Sequence, residues 1–292
     1  MKDTSLPNKI AVIGGDLRQL EAAKAFSELG YEVSVFGIDV VGDKSENARF
    51  KRASDLKDAL YLADCVILPL PYSYDGEKIN APLSTRPITL SELFAHLSRH
   101  QKIAAGLLGA SLPEGFSVFD YAASETFAIK NARATVEGAL AIAIRESAVT
   151  LCHAKVLITG YGRIGKMLAN ALTALGANVT VIARSARDRA WAWGEGLPAY
   201  GFRSLDELCP DCDFLFNTVP TEVIGRSALA AFKKDAVLIE LASLPGGIDL
   251  RAAGEEGIRV ITALGLPGKF SPKTAGRIIA ECVKEAFGLT QS

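Results

Sequence analysis

The chain has 292 residues, 49% of them hydrophobic and 22% charged, with a formal net charge of −1. That length suits two α/β domains, and that composition excludes an intrinsically disordered chain. The lack of a long basic run argues against nucleic acid as the main partner, and no apolar run reaches the ~18–20 residues of a membrane span.

The opening, MKDTSLPNKIAVIGG, lacks a signal peptide's apolar stretch and runs straight into a strand. A soluble, cytoplasmic protein is expected. Residues 9–36 then read as strand, turn, helix and strand. The turn, Gly14-Gly15-Asp16, does not have the full three-glycine spacing of a dinucleotide site. Asp16 competes with a pyrophosphate for the helix-start N–H groups, so it reads as a helix N-cap. Arg18 and Gln19 fall in the first helical turn. Arg18 there could hold a small acid or be an ordinary surface charge.

Alternation of strands and helices continues. Asp64 to Leu68 is a buried strand that opens into a long polar loop, residues 69–86. Loops of that length often serve binding, and this one leaves the carboxyl end of a strand, where open α/β sheets bind ligands. It carries Tyr72, Ser73, Tyr74, Lys78, Ser84 and Arg86. It reads as part of a substrate site, against the alternative of a variable surface loop. A helix over Leu90 to Ser98 and strands at 103–107 and 116–119 complete the first sheet. Residues 124–150 predict two helices with a break near Asn131, the second bridging to the next domain.

The second domain opens on VLITGYGRIGKMLANALTALGANVTVIARS, residues 156–185. Gly160, Gly162 and Gly165 form G-x-G-x-x-G between a strand and a helix. The first glycine permits the tight turn, the second lets backbone approach a pyrophosphate, and the third lets the helix pack close to the sheet. Unpaired N–H groups at the helix start then hold the anion. An NAD site usually carries Asp or Glu at the end of the second strand. Here Arg184 and Ser185 stand there, and a guanidinium pairs with a 2′-phosphate that a carboxylate would repel. NADP is the expected cofactor. Arg187 and Arg189 read as solvated helix charges. Strands at 214–218, 237–241 and 259–262 follow, and their carboxyl ends, with Thr218, Pro220 and Ala242, converge on the same crevice. A final helix covers Arg277 to Phe287.

The fold class expected is therefore α/β, two Rossmann-like doubly wound parallel-sheet domains joined by a long helix. Residues 1–123 make a substrate-side domain, 124–150 the inter-domain helices, and 151–270 the NADP-binding domain. Residues 271–292 make a C-terminal helix able to pack back on the first domain. Cys209-Pro-Asp-Cys212 lacks two further ligands at zinc spacing and precedes a strand instead of opening a helix, so it reads as a pair of loop cysteines, and no metal site is expected. No His occurs after His153. The second domain thus cannot supply the histidine acid–base of a 2-hydroxy acid dehydrogenase. A ring that becomes aromatic on losing hydride and a proton fits better, and the sequence singles out no catalytic residue.

The chain resembles the A subunit of dipicolinate synthase, a family of spore-forming bacteria, over about residues 8–288. The resemblance rests on KIAVIGGDLRQLE (9–21), ATVEGAL (134–140), the GYGRIG turn, GANVTVIARS (176–185), NTVP (217–220), LASLPGG (241–247) and, most discriminating, GLPGKFSPKTAG (265–276). More distantly it is similar to 2-hydroxy acid dehydrogenases and adenosylhomocysteinase. The resemblance implies an NADP-dependent oxidation of dihydrodipicolinate to dipicolinate (pyridine-2,6-dicarboxylate), carried out with a second, flavoprotein-like B subunit in the mother cell of a sporulating bacterium. It places the cofactor on Gly160, Gly162, Arg163, Ile164, Gly165, Arg184, Ser185, Thr218 and Pro220. Arg18, Ser73, Ser84, Lys273 and Thr274 are the candidates for a dicarboxylate substrate. Two other readings stay open: a subunit that binds NADP while its partner carries the chemistry, and a dehydrogenase of another small acid. A homo-oligomer is compatible with the sequence, which fixes no number of copies.

Overall fold

The computed structural model describes residues 9–39, 50–108, 112 and 114–289. Residues 1–8, on which the expectation about a signal peptide falls, lie outside the described residues. The chain divides into two compact units, residues 1–131 with 267–292, and residues 132–266.

Unit 1 is built from β1 (Lys9–Ile13), α1 (Leu17–Glu28), β2 (Glu32–Phe36), β3 (Lys51–Arg52), α2 (Leu56–Leu60), β4 (Cys65–Ile67), α3 (Leu90–His96), β5 (Lys102–Ala105) and β6 (Ser117–Asp120). The strands form one parallel sheet in the order β3-β2-β1-β4-β5-β6. Strand order reverses between β1 and β4, the switch point at which doubly wound sheets bind ligands. The central strands are covered on both faces, so β1 past Lys9 and all of β4 are apolar and buried. Ile10, Val12 and Ile67 face Leu20 and Phe26 of α1. Ala11, Ile13 and Val66 face Leu56 and Leu93 on the other side.

Helix α4 (Glu125–Glu146) runs unbroken across the unit boundary. The expected break near Asn131 is not there. Alanines at 132, 134, 139, 141 and 143 favour helix, and one Asn costs only a few tenths of a kcal/mol. Asn131 and Thr135 are mid-helix residues, and neither caps a second helix.

Unit 2 contains β7 (Lys155–Thr159), α5 (Arg163–Ala174), β8 (Asn178–Ile182), α6 (Ala186–Gly194), β9 (Ala199–Tyr200), α7 (Leu205–Leu208), β10 (Phe214–Asn217), α8 (Arg226–Ala231), β11 (Val237–Glu240), α9 (Leu250–Glu255) and β12 (Val260–Thr262). Its parallel sheet runs β12-β11-β10-β7-β8-β9. This is the same winding as unit 1, with the reversal between β7 and β10. Val156, Ile158, Phe214, Phe216 and Ile239 pack on one face, and Leu157, Leu215 and Leu238 on the other.

The chain then forms α10 (Leu266–Phe270) and α11 (Pro272–Phe287). The sequence reading starts the final helix at Arg277. The structure starts the helix at Pro272, because a proline at the first helical position loses no hydrogen bond and has φ already set. Within unit 1, α11 lies on α1. A Cβ on Gly276 would come within 2.6 Å of the Arg18 carbonyl oxygen and the Ala22 nitrogen, so the two backbones touch there. Ile279, Cys282 and Val283 complete the α1 side of the core. Gly288 ends the helix with φ 60°, a left-handed position that suits glycine.

Candidate functional site

The glycine turn of unit 2 lies at the carboxyl end of β7, at the switch point. Gly160 has φ +90°, and a Cβ there would overlap the Thr218 hydroxyl. A Cβ on Gly165 would overlap the Gly160 carbonyl oxygen, so this glycine lets α5 press against the turn. Gly162 is different: nothing lies within 4 Å of its Cβ position. It is the N-cap of α5, receives no side-chain cap, and no acidic residue occupies the first turn. The N–H groups at the start of α5 are therefore left without a side-chain cap, beside the open Gly162 position and at the positive end of the helix dipole. A pyrophosphate fits this cradle.

At the end of β8, Arg184 is exposed, and among the described residues no carboxylate pairs with its guanidinium. Ser185 caps α6 by accepting from the Asp188 N–H. Arg189 is not the solvated charge expected of it. Its Nη1 donates to the carbonyls of Ala183 (2.8 Å) and Arg184 (2.7 Å), which fixes the backbone that carries Arg184. Arg187 is exposed beside Asp188, and Arg163 is exposed in the first turn of α5. Tyr161 is buried and its hydroxyl donates to Glu195 (2.6 Å); burial first, then the neighbouring carboxylate, push the phenol up from its ordinary value.

The next two strand ends border the same turn. The Thr218 hydroxyl donates to the Thr159 carbonyl (2.8 Å), tying the turn after β10 to β7. Pro220 is exposed and Ala242 is buried. Beneath them lies a feature that sequence reasoning missed. Thr159, Asn217 and Glu240 are buried and occupy one register row across β7, β10 and β11. The Thr159 hydroxyl donates to Asn217 Oδ1 (2.6 Å), and Asn217 Nδ2 donates to Glu240 Oε1 (2.7 Å). Each residue alone reads as a polar position at or next to the end of a strand.

In unit 1 the corresponding turn is filled. Gly15 N–H donates to the Asn80 carbonyl of the 69–86 loop (2.9 Å), and a Cβ on Gly14 would meet Ile79 and Ala81. Asp16 caps α1 in a reciprocal capping box with Gln19. Arg18 is 7% exposed, so it is not a surface charge. Its Nε and Nη2 grip Asp16 at 2.8–3.1 Å, and Nη2 also donates to the Leu70 carbonyl (2.7 Å). Its Nη1 has no protein acceptor among the described residues. Gly268 of α10 sits against this pair; a Cβ there would lie 2.9 Å from Asp16 Oδ2 and 3.1 Å from Arg18 Nε. Within unit 1 the structure thus brings together Arg18, the start of the long loop and the 268–276 segment. Lys273 and Thr274 are exposed in the first turn of α11, which has no side-chain cap. Ser73 and Ser84 are engaged inside the loop. Ser73 accepts from Gly76 N–H (2.9 Å), and Ser84 donates to the Arg86 carbonyl (2.7 Å).

Cys209 and Cys212 are buried in a 3-10 turn before β10. Burial, with Asp206 nearby, pushes the Cys209 thiol up to about 12. Among the described residues no cluster of His, Cys, Asp or Glu could hold a metal ion, and no helix is long and apolar enough to cross a membrane.

Residues 9–122 match the family described as the N-terminal domain of the dipicolinate synthase A subunit. Residues 129–243 match the D-isomer specific 2-hydroxyacid dehydrogenase, NAD binding domain. The dipicolinate synthase A subunit of Bacillus subtilis (strain 168) is 31% identical, with 97% of each chain covered. Among solved structures, the dipicolinate synthase A chain from Bacillus subtilis superposes with TM-score 0.82 at 30% identity, covering 97% of this chain and 96% of that one. The dipicolinate synthase A subunit from Bacillus halodurans gives 0.84 at 27%, covering 98% and 99%. The transhydrogenase from Sinorhizobium meliloti shares the fold, with TM-score 0.68 at 17% identity over 95% of this chain and 93% of that one. Unit 2 is accordingly a nicotinamide-cofactor domain of the dehydrogenase kind, and the chain belongs to the dipicolinate synthase A subunit family.

Proposed function

We propose that this chain is the NADP-dependent subunit of a dipicolinate synthase, which oxidises dihydrodipicolinate to dipicolinate in the mother cell of a sporulating bacterium. It works there with a flavoprotein-like partner, the B subunit. The observation that supports the cofactor half is the uncapped α5 start beside the open Gly162 position, with Arg184 and no acid at the end of β8. The turn at 160–165 would hold the pyrophosphate through backbone N–H groups. Arg184 and Ser185 would hold the 2′-phosphate, and Arg163, Thr218, Pro220 and Ala242 would border the rest of the dinucleotide. When bound, NADP+ supplies a hydride acceptor.

The substrate is a dianion, and unit 1 offers cationic and N–H groups that suit it. Arg18 is held rigid by Asp16 and Leu70, with Nη1 left over. Lys273 and Thr274 stand at a helix start with no side-chain cap. Ser73 and Ser84 would shape the loop by their turn bonds. Loss of a hydride and a proton makes the ring aromatic, which supplies much of the driving force. Positioning can then carry most of the rate, and water takes the proton.

The test is oxidation of freshly made dihydrodipicolinate by the purified chain, with NADP+ against NAD+, with and without the partner. Faster appearance of NADPH than of NADH is expected. No turnover with the partner present, or brisk turnover of ordinary 2-hydroxy acids, would overturn the proposal. Binding of NADP+ by the chain alone, with turnover appearing only when the partner is added, would favour the reading in which the partner carries the chemistry.

A further inference from the structure

A buried polar row at the carboxyl ends of apolar parallel strands needs a physical reason. Unpaired, such groups cost about 1–3 kcal/mol each, so their presence implies that each is bonded. Glu240 is 3% exposed, and among the described residues no Lys or Arg pairs with it. Its carboxylate is satisfied by amides instead. Oε1 accepts from Asn217 Nδ2 (2.7 Å) and Ala242 N–H (2.9 Å). Oε2 accepts from Gly247 N–H (2.8 Å) and Ile248 N–H (3.0 Å). Asn217 in turn clamps the turn after β10. Its Nδ2 donates to the Val219 carbonyl (2.9 Å) and its Oδ1 accepts from the Val219 N–H (3.1 Å). One carboxylate and one carboxamide therefore fix the two loops that leave β10 and β11.

Location gives this fixation a consequence. A doubly wound sheet consists of two mononucleotide halves that meet at the switch point. The half made by β7, β8 and β9 carries Arg184 and the glycine turn. The other half is β10, β11 and β12. Every loop that Glu240 touches belongs to this second half, and no bond of the row reaches the end of β8.

We propose that Glu240 is a positioning residue for the nicotinamide half of the cofactor, acting through Asn217 on residues 218–220 and directly on 242–248. The inference rests on the cofactor reading given above for unit 2. In Glu240→Gln one oxygen becomes an NH2 group facing donors that it cannot satisfy, so the loops it holds must move. The adenosine half keeps its own supports, the Arg189 bonds and the α5 start. Thr159→Val is a milder second variant. It removes the donor to Asn217 Oδ1 at almost constant volume and leaves the backbone carbonyl of residue 159, which holds Thr218, in place.

The experiment compares affinities of the purified chain for NADP+ and for 2′,5′-ADP, a probe of the adenosine half alone. Glu240→Gln is expected to weaken NADP+ about tenfold, the equivalent of roughly 1.4 kcal/mol, and to leave 2′,5′-ADP within about twofold of the unmodified chain. Thr159→Val should give the same split with a smaller loss of NADP+ affinity, and it carries the test if the glutamine variant does not fold. Equal weakening of both probes would show a merely structural role, and an unchanged NADP+ affinity would remove the role altogether; either overturns the proposal. Failure of the unmodified chain to bind either probe would sink the cofactor reading itself, an outcome distinct from both.

Discussion

The two glycines at either end of the α5 start separate folding from binding, and alanine tests them. Gly162 has φ −84° and ψ −159°, extended backbone that alanine adopts without strain. Nothing lies within 4 Å of the added methyl. Alanine is the poorer N-cap by about 0.5–1 kcal/mol, and the stiffer unfolded chain returns about 0.4–1 kcal/mol. The melting temperature should therefore move by no more than about 2 °C. On the proposed cofactor placement, the same methyl would stand where the pyrophosphate meets the helix-start N–H groups. Losing one charge-assisted bond costs about 1.5–3 kcal/mol, which is about 10- to 150-fold in NADP+ affinity. Gly165→Ala should do the reverse in the free protein. Its methyl overlaps the Gly160 carbonyl oxygen, a backbone atom that cannot swing aside. Overpacking of this kind costs about 1–3 kcal/mol, visible as a melting temperature lower by several degrees. The assay is thermal unfolding without ligand beside calorimetric titration with NADP+. A Gly162→Ala chain that binds NADP+ normally, or a Gly165→Ala chain that melts normally, would refute the reasoning.

Three further outcomes are expected. Arg184→Ala should weaken NADP+ about 10- to 150-fold, the loss of one charge-assisted pairing of about 1.5–3 kcal/mol, and leave NAD+ within about twofold; equal losses in a fluorescence titration would remove the 2′-phosphate role. The Thr85 backbone N–H, aided by the Thr85 and Ser84 hydroxyls and by Arg52, and opposed by partial desolvation, holds the Asp39 carboxyl below its ordinary value. A lowered folded value means stability that is present above the unfolded value, about 3.9, and lost as pH falls through the folded one. The urea midpoint of Asp39→Asn should therefore lie below that of the unmodified chain at pH 6 and converge on it as pH falls below about 4; a gap independent of pH would contradict the assignment. Finally, of the five cysteines only Cys152 is exposed, and burial pushes the Cys65 thiol up to about 12, against a lesser pull from Lys102. A thiol reagent should label one cysteine quickly in the native chain and all five after denaturation, and fast labelling of Cys209 or Cys212 would reopen a redox role.

What the sequence showed plainly was chemistry concentrated in a few consecutive residues. The glycine turn is legible because each of its glycines answers a local steric demand, and Arg184 because it directly follows a strand. The Thr159–Asn217–Glu240 row is not legible. Its members lie 58 and 23 residues apart, and only the register of three strands aligns them. Arg18 falls between these cases. Asp16 is two residues away and suggests a pair, but its burial depends on Leu70, 52 residues on, and on Gly268. The segment at 265–276 misleads through its prolines and glycines. They read as loop, yet Pro267 and Pro272 stand in the first turns of two helices, where proline is tolerated.

The two units share one winding and reach opposite outcomes at the same turn. In each, the first glycine donates its N–H to the last residue of the neighbouring strand: Gly14 to Phe36 and Gly160 to Ile182, both at 2.8 Å. The next steps differ. Gly15 gives its N–H to Asn80, and Asp16 takes the Arg18 N–H and the Arg18 guanidinium. The α1 start has spent its donors on its own chain. At Gly162 no side chain caps, and the donors stay open. Capacity for an anion thus follows from two local facts, the presence of a capping carboxylate and the path of the loop after the fourth strand in spatial order. Replacing Asp16 alone would not convert unit 1 into a dinucleotide site, because Asn80 would still hold Gly15 and the Arg18 guanidinium would be left buried beside an empty cap. Unit 1 has the same winding, but the Asp16–Arg18 pair and the 69–86 loop fill its switch point and leave no cradle for a dinucleotide.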